Sequence, residues 1–502
     1  TRCRSTRCTT GSSERAGGAG ELRQPMAETP SNPPRDVVVF PLPLQGPLKL
    51  AELLCISGLR VTFINTIQNH RRLLRFSAAD SRFSRLPPSA FRFETFPDGL
   101  PDDHPRSGDR ILDLFLSVQA ASQPLLRRIL TSPCRRNSCC VIADGLFSFA
   151  ADITDDVGVP LIYFETISPC CLWVYLSLPK LIHDGELPFS RDGDLDAPIR
   201  SVAGMEGFLR RRDLPDFCRA GDLSDPVLRL VLAETAKIPK ARGLILNTFE
   251  ALESPEVLSN MRALTPNLYC VGPLHSLYSA RLRPPAAASN SLWKEDDSCL
   301  GWLDAQPPRS VVYVSIGSVA VMSAAQALEI RHGLVGSGHR FLWVQRPGSI
   351  AADVEGTRVP EGSGGCAWGR GLVVEWAPQV AVLEHAAVGA FLTHGGWNST
   401  LESIAAGVPM VCWPHFVDQL VNSRHVSHAW GVGVDMKDAC DRATVERMVR
   451  DVMGARREEF SRSAQRTAEL AGESVSAGGT SYSDLDRYSD LDRLIDDLRV
   501  VT

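Results

Sequence analysis

Short runs of apolar, mostly β-branched residues alternate with stretches of helical periodicity along this chain. The run at 37–40 (VVVF) is followed by a turn, by an apolar helical period over 48–56 that ends at Gly58, and by a second run at 61–65. This succession is typical of a βαβ unit. Further candidates for buried strands lie at 139–144, 159–166 and 243–250. Uninterrupted apolar strands separated by helices indicate a parallel, doubly wound sheet.

The pattern changes near Gly272. A stretch rich in Pro, Ala and Ser without apolar periodicity follows at 281–291, as is typical of an interdomain linker. Strand candidates then resume at 311–318, 341–345, 371–376, 389–394 and 408–414. Their recurrence predicts a second nucleotide-binding α/β domain.

The predicted fold class is therefore α/β, with two Rossmann-like, doubly wound domains. The predicted division is an N-terminal domain over 36–273, a linker over 274–297, a C-terminal domain over 298–480 and a C-terminal helix over 481–502. The hexamer YSDLDR occurs at 482–487 and again at 488–493, which indicates a local duplication that lengthens or shifts the last helix. For residues 1–35 we expect a disordered tail, with Met26 as an alternative start of the native protein.

Composition excludes several classes of partner. The 502 residues include 53 Lys or Arg and 58 Asp or Glu, so the net charge of -5 indicates no surface for nucleic acid. The 14 cysteines lack the paired spacing of zinc or redox sites and are typical of a reducing compartment. No apolar run is long enough to cross a bilayer, and no signal peptide is recognisable. We expect a cytoplasmic monomer that binds small molecules.

The segment at 376–419, WAPQVAVLEHAAVGAFLTHGGWNSTLESIAAGVPMVCWPHFVDQ, carries the most chemistry. Its middle part predicts a strand, a Gly-containing loop and a helix start at which Asn398 and Ser399 are suited to capping. Backbone N–H groups at such a start bind anions, and His394 beside them can add a donor or a positive charge to a diphosphate. Taken alone, Trp376 is more often a packing residue and His394 a structural histidine. The joint pattern favours a diphosphate site.

This segment resembles the C-terminal signature box of the plant family 1 UDP-glycosyltransferases. The resemblance also covers VVYVSIGS, FLWVQRP and NTFEALE and extends in effect from Asp36 to the end of the chain. It implies a GT-B fold whose two domains face each other across a cleft. It further implies that UDP-glucose is a co-substrate, that no cofactor or metal takes part, and that the acceptor is a small lipophilic plant metabolite. Segments 168–189 and 213–219 resemble members that act on iridoids and related terpenoids, such as the 7-deoxyloganetic acid glucosyltransferases, while flavonoids and other phenols stay open as acceptors.

The resemblance assigns the donor site residue by residue. Trp376, with Ala377 beside it, is assigned to stacking on uracil, because an indole offers a large flat face. Gln379 is assigned to the nucleoside, and Glu402 to the ribose, because a carboxylate can accept hydrogen bonds from two vicinal hydroxyls. The residues assigned to the diphosphate are Ser318, His394, Asn398 and Ser399, and those assigned to the sugar are Trp397, Asp418 and Gln419. A Gln at the last box position points, in this family, to glucose over galactose.

The acceptor side departs from the family pattern. In the family, a histidine in the first βα loop removes the acceptor proton, and an aspartate after a later strand orients that histidine. Asp144 matches the aspartate, with a helix N-cap as the alternative role. The Gln45-Gly46-Pro47 loop, however, is several residues shorter than the family loop, and no histidine lies between Asp36 and Asn69. His70 follows the second strand and is not assigned the role of the base.

The missing histidine leaves two explanations, an error in the gene model or a protein that lacks its base. Loss of a positioned base costs ~10²- to 10⁴-fold, and an aspartate with a pKa near 4 is a poor replacement for it. A carboxylic acid acceptor is already ionised, so ester formation is expected to survive the deletion better than ether formation. The rival functions are a catalytically silent UDP-sugar-binding protein and an NAD-dependent oxidoreductase. The oxidoreductase is disfavoured because Gly46 stands nearly alone where a G-x-G-x-x-G motif would follow the first strand.

Overall fold

The computed structural model describes most of the chain from residue 35 onward. The described residues are 35–43, 47–77, 83, 86–87, 89–132, 139–189, 194–219, 221–282, 291–351, 366–368, 370–482 and 489–500. Among the sequence predictions, the tail up to residue 34, the loop residues Gln45 and Gly46, the linker residues 283–290 and most of the first YSDLDR copy lie outside these residues. No helix in the described part of the chain is both long and apolar enough to cross a membrane.

The first half of the chain forms a seven-stranded parallel sheet in the order β3-β2-β1-β4-β5-β6-β7. Its strands are β1 (Asp36–Phe40), β2 (Arg60–Thr66), β3 (Phe91–Phe96), β4 (Cys139–Asp144), β5 (Leu161–Glu165), β6 (Gly243–Leu246) and β7 (Leu268–Cys270). The helices of this half are α1 (Pro47–Ile56), α2 (Ile67–Phe76), α3 (Ile111–Thr131), α4 (Phe149–Val157), α5 (Pro169–His183), α6 (Pro226–Thr235), α7 (Pro255–Leu264) and α8 (Leu274–Leu282).

The second half forms another seven-stranded sheet, in the order β10-β11-β9-β8-β12-β13-β14, in which only β10 runs antiparallel to its neighbour. Its strands are β8 (Val311–Ser315), β9 (Arg340–Val344), β10 (Cys366–Trp368), β11 (Gly371–Val374), β12 (Val388–Thr393), β13 (Met410–Cys412) and β14 (Gly433–Asp435). Its helices are α9 (Ser298–Asp304), α10 (Ala324–Ser337), α11 (Gln379–Leu383), α12 (Trp397–Ala405), α13 (Gln419–Arg424), α14 (Arg442–Arg450), α15 (Arg457–Val475) and α16 (Asp490–Val500).

Both faces of each sheet are covered, as the apolar strand pattern predicts. In β1, Val38 and Phe40 pack into the core on one face, whereas Val37 and Val39 pack into the core on the other. Parallel strands buried on both faces read as continuous apolar runs, which is why the central strands are found where the sequence predicts them. The prediction of two doubly wound α/β domains is confirmed.

The last described helix, α16, packs against the N-terminal sheet. Helix α16 places Leu491, Leu494 and Leu498 in the same core as Val37 and Val39. The Cys270 backbone N–H also donates to Asp490 Oδ2 at 2.8 Å. Helix α16 lies within the predicted segment 481–502 and covers the N-terminal sheet. Part of the predicted linker, residues 274–282, forms α8, which packs against α1.

The strand order reverses direction once in each sheet, beside β1 and β4 in the first sheet and beside β8 and β12 in the second. Ligands of open α/β sheets bind outside the carboxyl ends of the strands at such switch points. Asp144 ends β4, and His394 directly follows β12. Asp144 and His394 therefore lie at the two switch points.

Candidate functional site

The turn after β8 and the loop after β12 meet at the imidazole of His394. A Cβ atom placed on Gly317 would lie 2.6 Å from His394 Nε2, and one placed on Gly396 would lie 2.5 Å from the same atom. Gly317 also has a φ of +77°, in the left-handed region. Two glycines thus let the backbone close on both sides of the ring. Ser318 adjoins Gly317, so the structure brings these two predicted diphosphate residues to the same place.

The charge of His394 is set by its surroundings. Burial, together with the neighbouring His415 and Arg346, lowers the pKa of His394 to about 3. The imidazole is therefore neutral near pH 7, which favours the hydrogen-bond donor over the positive charge among the two roles predicted from the sequence, while the contact with a diphosphate stays a prediction. Arg346 supplies positive charge nearby, and its Nε donates to the Gly317 carbonyl at 3.3 Å. Sequence analysis missed Arg346, although it ends the segment FLWVQR.

Three residues predicted for the nucleoside, diphosphate and ribose form one hydrogen-bonded group. Gln379 Nε2 donates to Ser399 Oγ at 2.9 Å and to Glu402 Oε2 at 2.8 Å. The Tyr313 hydroxyl lies 3.3 Å from Gln379 Oε1. Ser399 and Glu402 lie in the first two turns of α12, and Gln379 begins α11. The group fixes the amide of Gln379 and the carboxylate of Glu402 relative to each other.

Trp376 and Ala377 immediately precede this group but have different environments. Ala377 is buried in the core under the sheet, whereas Trp376 is half-buried. The Trp376 ring lies 6.0 Å from the ring of Trp293, tilted by 34°, and the guanidinium of Arg72 lies 4.7 Å from the Trp293 ring centroid. Because Arg72 belongs to α2, an N-terminal element reaches the residues around the predicted base platform.

Trp397 and Asn398 contact the N-terminal half of the chain. The Trp397 side chain is 2% exposed, and its Nε1 donates to the Asn247 backbone carbonyl at 2.8 Å. Asn247 Nδ2 in turn donates to Asn398 Oδ1 at 3.2 Å. The indole N–H of Trp397 is thus engaged by Asn247, and its predicted position facing the sugar stays a prediction. Sequence analysis missed Asn247 because NTFE was taken as part of a strand, whereas β6 ends at Leu246.

Asp418 and Gln419 lie at the start of α13, and both are buried. Asn422 Nδ2 donates to Asp418 Oδ2 at 2.8 Å, and Gln419 Oε1 accepts from the backbone N–H of His415 at 2.9 Å. Burial raises the pKa of Asp418 to about 6, against the lowering effect of the hydrogen bond from Asn422. The backbone contacts leave Nε2 of Gln419 as the amide group that can donate to a ligand.

On the acceptor side, Asp144 is 1% exposed at the end of β4. Its Oδ1 accepts from the Leu146 N–H at 3.1 Å, whereas its Oδ2 is buried without a hydrogen-bond partner among the described residues. Burial, with a smaller contribution from the charge of Glu234, raises the pKa of Asp144 to about 6 against the lowering effect of hydrogen bonds from Leu146, Leu42 and Thr166. The ordinary aspartate pKa assumed from the sequence is therefore wrong for this site, because burial penalises the charged form.

A second buried carboxylate, Glu165, lies next to Asp144. It ends β5, the strand paired with β4, and a Cβ on Gly145 would lie 1.6 Å from its Oε1. Burial, and then the charge of Asp144, hold the pKa of Glu165 well above its usual value. Tyr163 and Cys171 lie near this carboxyl, and its charge contributes, after burial, to raising their pKa values, so both side chains stay neutral. Sequence analysis missed Glu165, whose only signal is a carboxylate at the end of a fully apolar strand.

His70 packs against an aromatic side chain. Its ring lies 4.6 Å from the ring of Phe93, and burial lowers its pKa. This agrees with the decision not to assign it the role of the missing base.

Comparison with known proteins places this geometry among sugar-nucleotide enzymes. The family model "UDP-glucoronosyl and UDP-glucosyl transferase" matches residues 287–458. A 7-deoxyloganetic acid glucosyl transferase of Catharanthus roseus is 48% identical over 475 residues, which cover 92% of this chain and 98% of the relative. An (R)-mandelonitrile beta-glucosyltransferase of Prunus dulcis is 38% identical over 469 residues, which cover 89% of this chain and 95% of the relative. The crystal structure of Os79 from O. sativa in complex with UDP superposes with a TM-score of 0.72 at 28% identity and covers 93% of this chain and 100% of that one.

Proposed function

Because the chain belongs to the plant family 1 UDP-glycosyltransferases, whose GT-B fold it shares, we propose that it transfers glucose from UDP-glucose to a hydroxyl or carboxyl group of a small lipophilic metabolite. The transfer would invert the anomeric carbon and need no metal ion. The observation that carries the proposal is the group Gln379–Ser399–Glu402 beside His394 at the switch point of the second sheet.

In this proposal the donor is bound by hydrogen-bond donors, the two carboxyl groups of Glu402 and Asp418, and a stacking surface. Glu402 accepts from the ribose hydroxyls and Gln379 binds the nucleoside. The first turn of α12 and the neutral imidazole of His394 donate to the diphosphate. Asp418 and Gln419 bind the glucose hydroxyls. The UDP-bound Os79 structure supports the donor class.

The acceptor oxygen then attacks the anomeric carbon, and the bond from that carbon to the UDP oxygen breaks. With a hydroxyl acceptor a proton must leave, and we assign it to Asp144, whose unpartnered Oδ2 can receive it. A pKa of about 6 leaves this carboxyl mostly ionised at pH 7 and makes it a stronger base than an ordinary aspartate. With a carboxylate acceptor no proton has to be removed.

For the acceptor we propose an iridoid or a related terpenoid. The support is the 48% identity to a protein named for 7-deoxyloganetic acid. The relative from Prunus dulcis is named for mandelonitrile, which keeps other small lipophilic acceptors, phenols included, as the alternative.

A second candidate function is a UDP-sugar-binding protein without turnover. The observation that favours it is the absence of any histidine between Asp36 and Asn69, where the family carries its base. Both candidates bind UDP-glucose, and only the first transfers glucose.

The test compares the given chain with a variant in which His and three further residues are inserted after Gly46. The matched control carries the same insertion with Ala in place of His. Turnover of UDP-glucose is measured against terpenoid acids, terpenoid alcohols and phenols. We expect the given chain to act on acids and to lose ~10²-fold or more on alcohols relative to the His insertion. Equal losses on acids and alcohols would contradict the expectation that ester formation survives the deletion better than ether formation, and UDP-glucose binding without any transfer would favour the second candidate.

A further inference from the structure

The loop that carries the proposed sugar-binding pair is held by the N-terminal half of the chain. Val417 immediately precedes Asp418 and Gln419, and its backbone N–H donates to Asp216 Oδ1 at 2.8 Å. Asp216 begins a 3-10 turn, Asp216–Arg219, that lies between α5 and α6. A carboxylate of one domain thus accepts a hydrogen bond from the other domain next to the residues assigned to the sugar.

The backbone at Val417 is in a costly conformation. Its φ is +58°, in the left-handed region that β-branched residues avoid. Such a conformation persists only where the surrounding structure enforces it, and it is concentrated at functional sites. The hydrogen bond to Asp216 is an enforcing contact from outside the loop.

Further residues of the same loop and of the helix after it also contact the N-terminal half of the chain. A Cβ on Gly108 would lie 2.6 Å from Phe416 Cζ, so the Phe416 ring lies directly on an N-terminal backbone segment. Val421, on α13, is buried in the core that also contains Leu214 and Phe217, on either side of Asp216. Helix α13 therefore belongs to the C-terminal domain by sequence, but packs on the N-terminal core.

Within the loop, the side chain of Gln419 is hydrogen-bonded to the backbone next to Val417. Its Oε1 accepts from the backbone N–H groups of His415 at 2.9 Å and Phe416 at 3.3 Å. A shift of the backbone at 415–417 would move both donors and thereby the amide of Gln419. Asp418 is fixed by Asn422, one turn further along.

We propose that Asp216 is a positioning residue for donor-sugar selectivity: through the Val417 N–H it fixes the backbone from which Asp418 and Gln419 reach the sugar. The N-terminal domain then contributes to the choice of sugar without touching the donor. This inference rests on the proposed function, because it requires a bound UDP-sugar. It predicts a separation between two ligands that differ only in the sugar, UDP and UDP-glucose.

The experiment measures binding of UDP, UDP-glucose and UDP-galactose to the full chain by isothermal titration calorimetry, so that turnover is not needed. We expect Asp216→Ala to lower the affinity for UDP-glucose about tenfold, as for the loss of one hydrogen bond to a charged group. The difference in affinity between UDP-glucose and UDP-galactose should become smaller. Affinity for UDP should stay within about twofold, since UDP lacks the group that the loop contacts. Asp216→Asn should keep the wild-type pattern, because the amide oxygen still accepts from Val417.

Two further variants complete the test. Asp103→Ala removes an exposed carboxylate from the same half of the chain and should change none of the three affinities. Val417→Gly keeps the backbone N–H that donates to Asp216 and adopts the positive φ without strain, so it should leave the affinity for UDP-glucose relative to UDP close to that of the wild type. Equal weakening of UDP and UDP-glucose in Asp216→Ala, or no change in either, would overturn the positioning role and leave the proposed function standing. Failure of the wild type to bind UDP at all would overturn both.

Discussion

Replacing Glu165 with Gln is expected to flatten the dependence of stability on pH. Asp144 and Glu165 end adjacent strands, are both buried, and each have an oxygen without a partner among the described residues. Asp144 ionises first, and its charge then adds to burial in holding the proton on Glu165. Near pH 7 the folded pair therefore keeps a proton that the unfolded chain has released.

The sign of the effect follows from the direction in which the two pKa values are shifted. A folded-state pKa above the unfolded value gives stability that is present at low pH and is lost as pH rises through the folded value. For Asp144, the rise of the pKa from 3.8 to about 6 corresponds to about 3 kcal/mol lost across that range. For Glu165, the loss is about 1.4 kcal/mol for each pH unit above its ordinary pKa until the folded pKa is reached.

The assay is urea unfolding followed by tryptophan fluorescence, for wild type and Glu165→Gln, from pH 5 to pH 8. The free energy of unfolding of the variant relative to the wild type should rise as the pH increases from 5, by up to about 1.4 kcal/mol per pH unit, because only the wild type has the Glu165 proton to lose. An amide N–H left unpaired would add a constant cost of about 1–3 kcal/mol, so the slope and not the level is the test. Glu256→Gln, an exposed change of the same kind on α7, should run parallel to the wild type. A difference between Glu165→Gln and wild type that stays constant over the whole range would refute the shared proton.

Two other predictions concern the domain interface and the ribose. Asp213→Ala should cost about 3 kcal/mol of unfolding free energy, because Asp213 is fully buried against Lys437. Asp438→Ala breaks only the exposed pairs with Arg212 and Arg219 and should cost under about 1 kcal/mol. Equal losses of stability in urea unfolding would contradict this difference. Glu402→Gln should lower the affinity for UDP about tenfold and the affinity for 2′-deoxy-UDP much less, because the carboxylate is assigned to the ribose hydroxyls. Calorimetric titration with both ligands measures the two affinities, and an equal loss for both would contradict a contact between Glu402 and the 2′-hydroxyl.

The central strands were predictable because the physics that forms them is local. A strand buried on both faces is apolar throughout, so β1, β4, β5, β8, β9 and β12 stand out in the sequence. The edge strand β3, FRFETF, has only one fully buried residue and instead shows apolar and polar residues in alternation. The three-residue strands β7 and β14 are too short for any period to show. Their pairing is decided by the neighbouring strands and not by their own residues.

The candidate site likewise contains residues that a sequence motif marks and residues that no motif marks. Gln379, Ser399 and Glu402 come from one continuous segment on both sides of β12, and the structure brings them together. Asn247, Asp216 and Glu165 act across distances of up to two hundred positions in the sequence, and no local pattern marks them. Each is a polar residue beside an apolar strand or turn, whose importance depends on what the other half of the chain places against it.

The raised pKa of Asp144 changes the expectation for acids and alcohols in the loop experiment. An ordinary aspartate would be a weak base for an alcohol at every pH near neutrality, whereas a carboxyl with a pKa of about 6 is mostly ionised and more basic at pH 8 and half protonated at pH 6. A carboxylate acceptor gains nothing from this base and is repelled by its charge. Lowering the pH from 8 to 6 therefore protonates about half of the base that alcohols need and removes about half of the charge that disfavours acids. The preference of the given chain for acids over alcohols should consequently grow as the pH falls, and a preference that shrinks would place the proton on a group other than Asp144.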